Sequence, residues 1–425
     1  MRILVYLLSL LIPGLCQSQS LSIEGLWLQM ESGIAHRQRA LQVEVRKQEL
    51  KEFQTNRIPV FYVDANLQRN LIVPTTPVPA IAFDPNATDG AIIPLKFATK
   101  WSSKAGLQVE WELFDPRRRL DEQQKSLEVK RAELDLRQQQ VDWQHDATLA
   151  YAAVVLATEQ YALAQQDSMA YQDILRVTQA RYEEGREKSV NYLTAQQEFE
   201  RKRIQLQEAW SVLWDADLEL RRFTDLETTK VLSSNIKDIA AFVRTYDPEN
   251  VTLLALELDR KSYELQHRAL RSGLLPSLKA NAYLGEQYFS NEFRLDRGKE
   301  WYGSSYVNLA LRMPLSAFFT VQPTFRKLRA QSEITSLKLR EETDSDRISS
   351  QQQQVKVAAA QSKLERLEAV MRLAEQVKQE QEQTYREGRL LLTDLNLSIN
   401  QLNQAKRDVW QAGYDLIRAL MEQKR

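Results

Sequence analysis

The chain has 425 residues, with 57 basic and 57 acidic side chains, 12 glycines, 12 prolines and a single cysteine, Cys16. Zero net charge without charge blocks argues against nucleic acid as a partner. High charge with so little Gly and Pro fits long helices, and it excludes disulfide scaffolds and low-complexity disorder.

Residues 1–20, MRILVYLLSLLIPGLCQSQS, place a basic residue before an apolar run, a Pro-Gly break and small residues. That is the layout of an export signal, with cleavage expected after Ser18 or Ser20. Cys16 would leave with it; a retained, lipid-bearing Cys16 is the alternative. No later run reaches the roughly 20 apolar residues of a spanning helix.

A helix is expected from Leu21 to about Thr55. Strands are sought within 58–114, where PVFYVDANL (59–67) and LQVEWELF (107–114) are rich in aromatic and β-branched residues. The segment 72–90, IVPTTPVPAIAFDPNATDG, reads as a Pro-rich loop between them.

A helical hairpin is expected over 117–222. Its first arm carries two heptad rows, one through Leu120, Leu127, Leu134, Val141, Thr148, Val155, Ala162 and Met169. The other runs through Val129, Leu136, Trp143, Ala150, Ala157, Ala164 and Tyr171. The rows lie roughly 200° apart at about 100° per residue. One seam serves one partner helix, whereas two on nearly opposite sides suit a wall or ring of helices. The arm Leu120 to Tyr182 would be roughly 90 Å long at about 1.5 Å per residue. It ends in ARYEEGR (180–186), and the tip is placed near Gly185.

After a polar linker, 223–247, the pattern repeats: a helix over 248–272, strands within 276–316 and a hairpin over 320–424 with its tip near Gly388. QTYREGR (383–389) restates the first tip. Beyond each glycine the apolar ladder recurs: Tyr192, Phe199, Leu206 and Leu213 match Leu395, Leu402, Val409 and Leu416. The chain therefore divides into repeat 1 (21–222) and repeat 2 (248–425). Four strands cannot close a membrane barrel, which begins at eight, so membrane-spanning strands would have to pair with further copies. Trp101, Trp111, Tyr283, Tyr288, Trp301 and Tyr306 are candidates for interfacial aromatic girdles.

No cofactor, metal site or enzyme is implied. His36, His145 and His267 are scattered in sequence, and no phosphate-binding loop occurs.

The export signal, the duplication, the junctions VEWELFDPRRR and LALRMPLS, and the tips RYEEGREKSVNYLTAQ (181–196) and TYREGRLLLTDLNLSIN (384–400) resemble the TolC-like outer-membrane efflux protein family. The resemblance covers nearly all of the chain after its signal. It implies a mainly α fold with a β-barrel contribution. Two repeats of long coiled-coil-like α-hairpins would each add two strands, in a homotrimer with a 12-stranded outer-membrane barrel on an α-helical periplasmic tunnel. It implies an exit duct in a tripartite efflux or type I secretion-like system. The partners would be a periplasmic membrane-fusion adaptor, an inner-membrane pump of RND, ABC or MFS type, and outer-membrane lipid. Tyr182, Gly185, Arg186, Tyr385, Gly388 and Arg389 would be the adaptor-docking tips. The family's periplasmic constriction maps to Asp394, Asn191 and Leu397; only Asp394 is acidic, so a single carboxylate ring is implied. As an acid in the first turn of its helix, Asp394 also fits a favourable dipole position. The alternative reading is a soluble periplasmic coiled-coil scaffold or adaptor-like binding protein without a barrel.

Overall fold

The computed structural model describes residues 20–224, 232–387, 389–390 and 392–424. The expected export signal with Cys16 (up to residue 19), residues 225–231 of the linker, and Gly388 lie outside the described residues. The chain forms two compact units. One is built from residues up to Gln42, Ala132–Ala255 and Leu339 onward. The other comprises Val43–Arg131 and Leu256–Lys338.

The helices are α1 (Ile23–Leu28), α2 (Ile34–Thr55), α3 (Arg118–Glu183), α4 (Ser189–Arg221), α5 (Ile236–Thr245), α6 (Val251–Ser272), α7 (Ala317–Thr320), α8 (Gln322–Arg386) and α9 (Leu392–Gln423). Among the described residues no helix is long and apolar enough to cross a membrane. The strands are β1 (Val60–Arg69), β2 (Thr76–Pro79), β3 (Ile92–Leu95), β4 (Trp101–Phe114), β5 (Ser277–Ser290) and β6 (Trp301–Arg312).

Three stretches differ from the sequence reading. The helix expected over 21–55 is divided: α1 passes through a 3-10 turn, and Gly33 is extended (ψ 142°) before α2 begins. Ser32 Oγ donates to the Gln29 carbonyl at 2.7 Å, closing that turn. The Pro-rich loop contains its own hairpin, β2 paired with β3. The linker contains α5, which is no spacer: Ile239 and Val243 are fully buried. A capping box explains its start, since Asn235 accepts from the Lys237 and Asp238 amides while Asp238 accepts from the Asn235 amide.

In the first unit, α5 packs across α9 so closely that a Cβ at Gly413 would lie 2.6 Å from Ile236 Cγ2. The core there joins Ile23 and Leu26 of α1, Ala147, Tyr151 and Val154 of α3, and Ile417 and Met421 of α9. Tyr151 fastens the chain start, because its hydroxyl donates to the Leu21 carbonyl at 2.7 Å and accepts from the Ser234 amide at 3.1 Å. Trp27 meets Phe242 and Tyr246 edge-on, each at 4.8 Å.

The two heptad rows of α3 are unequally covered. Val129, Ala157 and Tyr171 of the second row are buried; in the first row Thr148 is buried but Met169 is 62% exposed. The ladders after the tips differ in the same way: Leu395, Leu402 and Leu416 are buried, whereas Tyr192, Phe199, Leu206 and Leu213 are half-buried.

Burial pushes the Tyr246 phenol up to about 12 from 10.0, and its hydroxyl donates to Gln144 Oε1 at 2.6 Å. The folded chain holds that proton more tightly than the unfolded chain does. The stabilisation is therefore complete below pH 10.0 and is lost as pH rises toward about 12. Tyr246→Phe is expected to reduce this alkaline loss, measured as helix unfolding against pH.

Candidate membrane sheet and helical tips

In the second unit the strands form one antiparallel sheet in the order β1-β4-β5-β6. The β4–β5 pairing joins the two halves of the duplicated sequence, from Trp101↔Ser290 to Phe114↔Leu278 with a bulge after Glu112. Directly opposed residues share a face, so the register sorts every side chain.

One face carries Val63, Leu107, Leu284, Val307, Leu309 and Leu311, all exposed; Val63 and Val307 are each 79% exposed. The opposite face carries Asp64, Lys104, Glu110, Lys279, Asn281 and Asn308. Strands of 10, 14, 14 and 12 residues meet the roughly 9–11 residues of a tilted membrane strand. The outer edges of β1 and β6 have no partner strand among the described residues.

The aromatic candidates separate by strand parity. Trp101, Tyr288 and Trp301 lie on the apolar face at the end away from the helices. Tyr288 packs on Trp301 at 5.4 Å, Trp101 packs on Phe293 at 4.7 Å, and the Arg69 guanidinium sits 5.3 Å from the Trp101 ring. Trp111 shares that face at the helix end, with its indole N–H donating to the Arg57 carbonyl at 3.1 Å. Tyr283 and Tyr306 do not belong with them. They oppose each other on the polar face, stacked at 5.9 Å, because each is an odd number of residues from the outward-facing aromatics of its own strand. The Lys104 ammonium lies 4.0 Å from the Tyr283 ring centre.

Glycines set the tightest approach in the sheet. Gly106 opposes Gly285. A Cβ on Gly285 would fall 2.3 Å from the Ala105 carbonyl oxygen, and one on Gly106 would fall 2.6 Å from that of Leu284. The Tyr283 ring covers the notch.

At the first tip, in the other unit, Gly185 has φ +71°. Its amide donates to the Tyr182 carbonyl at 2.9 Å, and the Arg186 amide donates to the Arg181 carbonyl at 2.8 Å. This pair of bonds is a Schellman closure, which needs a left-handed residue where glycine sits. Tyr182 stacks on Tyr192 at 5.3 Å with the rings 4° from parallel. Arg186 pairs with Glu184 at 3.2 Å, and Asn191 Nδ2 donates to Glu187 Oε1 at 2.6 Å. The Asn191 bond, then the Lys188 amide, hold the Glu187 carboxyl below its usual range.

At the second tip the Arg389 amide donates to the Thr384 carbonyl at 3.1 Å, repeating the long bond of the first, and Arg389 pairs with Glu387 at 3.5 Å. Tyr385 lies in the last turn of α8. Asp394 stands in the first turn of α9, exposed, and Leu397 is 58% exposed.

A buried polar layer between α3, α4 and α9 is absent from the sequence reading. Lys202 Nζ lies 3.6 Å from Asp167 Oδ2, donates to Asn400 Oδ1 at 2.9 Å and sits 5.0 Å from the Tyr171 ring. Asn403 Nδ2 donates to Asp167 Oδ1 at 2.5 Å. Asp167, Lys202 and Asn403 are all buried.

The outer membrane efflux protein family model matches residues 37–224. No match was found among curated proteins. Similar solved structures include the open state of the Neisseria gonorrhoeae MtrE outer membrane channel, at TM-score 0.73 and 13% identity, over 95% of this chain and 88% of that one. The Campylobacter jejuni CmeC outer membrane channel aligns at TM-score 0.70 and 14% identity, over 93% and 83%. VceC, an outer membrane protein of Vibrio cholerae, aligns at TM-score 0.68 and 12% identity, over 95% and 95%.

Proposed function

From the match of residues 37–224 to the outer membrane efflux protein family, we propose that the chain is an outer-membrane efflux channel of that kind and the exit duct of a tripartite efflux or type I secretion-like system. The coarser statement, an outer-membrane efflux channel, rests on that match. The observation that carries the finer reading is the sheet. It turns an apolar face outward and a polar face the other way, and its two open edges are free to pair with further copies.

A sheet edge left open in lipid is costly. Three copies would join β6 of one to β1 of the next, giving a closed barrel of twelve strands with the polar face lining its lumen. The same trimer would cover side chains that one chain leaves bare, such as Met169, Trp210 at 54% and Trp214 at 47% exposure. Trp101, Trp301 and Trp111 would mark the two bilayer boundaries. A soluble scaffold gains nothing from so many exposed aliphatic side chains on one sheet face.

Transport in this reading is passive. An inner-membrane pump delivers cargo through a periplasmic adaptor, which docks on the tips around Tyr182, Gly185, Arg186, Tyr385, Gly388 and Arg389. Docking moves the hairpins apart, and Asp394 from three copies rings the constriction. The tip pairs Arg186–Glu184 and Arg389–Glu387 are solvent-exposed and so individually weak. They leave the tips adaptable to a partner.

The double variant Gly185→Trp, Gly388→Trp tests this. It is expected to fractionate with the outer membrane as a heat-modifiable trimer and to lose export. Undiminished export would remove the tips from the docking site, and a wild-type chain found soluble in the periplasm would sink the duct itself.

A further inference from the structure

The two strand-to-helix junctions, equivalent in the duplication, are built differently. In half one, β4 ends at Phe114 and α3 begins at Arg118. Two of the three arginines there face acids: Arg117 lies 3.8 Å from Asp121, Arg118 lies 3.9 Å from Glu112, and the Arg117 amide donates to Asp115. In half two, β6 ends at Arg312 and α8 begins only at Gln322, with α7 between.

This longer turn is apolar and bare. Met313 is 46%, Leu315 67%, Phe318 43% and Phe319 85% exposed. It continues the exposed run of Leu309 and Leu311 on the apolar face of β6. Most of its amides are bonded within the segment: those of Leu315, Ala317, Phe318, Phe319, Thr320 and Val321 each donate to a carbonyl two to four residues back. A segment that bonds most of its amides internally tolerates the edge of a bilayer.

Basic residues follow at once. Arg326, Lys327 and Arg329 are exposed, and none of them has an ion-pair partner among the described residues. No Asp or Glu occurs between Glu300 and Glu333. An apolar, aromatic ledge beside unanswered cations is complementary to a lipid surface with anionic phosphates, where aromatic rings take the acyl boundary and guanidinium groups take the phosphate.

We propose that the 313–329 junction is a membrane-surface anchor that binds anionic phospholipid headgroups at the helix-side boundary of the bilayer. The occupant is lipid rather than a second copy. The segment that precedes the open β1 edge, Asn56–Pro59, offers no acid, and its Arg57 is already held by Glu122. The half-one junction has less of this capacity, because Arg117 and Arg118 face acids and leave Arg119 as its exposed cation. The proposal rests on the barrel reading above.

The test uses the full-length trimer in a Cys16→Ser background, reconstituted into phosphatidylethanolamine vesicles with or without phosphatidylglycerol. Phe319→Cys and, as a barrel control, Leu309→Cys carry a fluorophore challenged by nitroxide-labelled lipid and by aqueous iodide. In phosphatidylglycerol vesicles both positions are expected to be quenched by lipid and sheltered from iodide. Adding Arg326→Gln, Lys327→Gln and Arg329→Gln, or replacing phosphatidylglycerol by phosphatidylcholine, should abolish lipid quenching at residue 319 alone. Iodide access at 319, shelter from both quenchers, or lipid quenching indifferent to charge would each overturn the anchor while leaving the barrel intact. Loss of lipid quenching at residue 309 as well would overturn the barrel, and the anchor with it.

Discussion

Gly285→Val is expected to abolish the heat-modifiable form of the protein, read as band migration of unboiled samples. The added Cβ alone would sit 2.3 Å from the Ala105 carbonyl oxygen and 2.5 Å from Gly106 Cα. Both obstacles are backbone, so no rotamer change relieves them. The β4–β5 pairing would have to open at its centre, between Ala105↔Glu286 and Leu107↔Leu284. Ordinary overpacking costs about 1–3 kcal/mol, and a clash relieved only by moving a strand should exceed that range. Gly303→Ala is the control: no atom lies within 4 Å of its Cβ position, and the variant should assemble normally. An assembled Gly285→Val protein would show that the strands are not this close.

The second large effect is expected at the polar layer of the helical unit. Lys202→Met leaves the Asp167 carboxylate buried with only Asn403 to serve it. Removing one partner of a buried ion pair costs about 3–5 kcal/mol, much of it the desolvation of the charge left behind. The loss should appear as a lowered midpoint for melting of the far-UV helical signal. Asp167→Leu in the same chain is expected to restore most of the stability, since no lone charge then remains. If the double variant is no more stable than Lys202→Met, the pair is not the source of the effect. The layer joins α3, α4 and α9, so it also fastens the two hairpins of one protomer to each other. Channel opening by hairpin separation would then have to strain or spare this contact.

Much of the architecture is legible in local chemistry. The first tip is written in Tyr182-x-x-Gly185-Arg186, because only glycine takes φ +71° without penalty where Arg186 closes on Arg181. Strand and helix stretches follow from residue type and period. Even α5 carries a signal, the Asn235-to-Asp238 capping box ahead of Ile239 and Val243, inside a segment that is otherwise polar. Residue type alone groups Tyr283 and Tyr306 with the girdle, whereas strand parity separates them from Tyr288 and Trp301.

By itself, then, the sequence determined the duplicated pattern, the long helical arms, the turn at Gly185 and the presence of strands. These depend on periodicity and backbone preference, which neighbouring residues settle among themselves. Only the tertiary structure decided which face of the sheet is apolar as a whole, because that needs the register between Leu107 and Leu284, 177 residues apart. It also brought Asp167 to Lys202 and Asn403, and it left Phe319 bare while Arg117 and Arg118 at the matching half-one junction found acids. Such pairings depend on which distant side chains arrive together, and one helix or strand read alone carries no record of its partner.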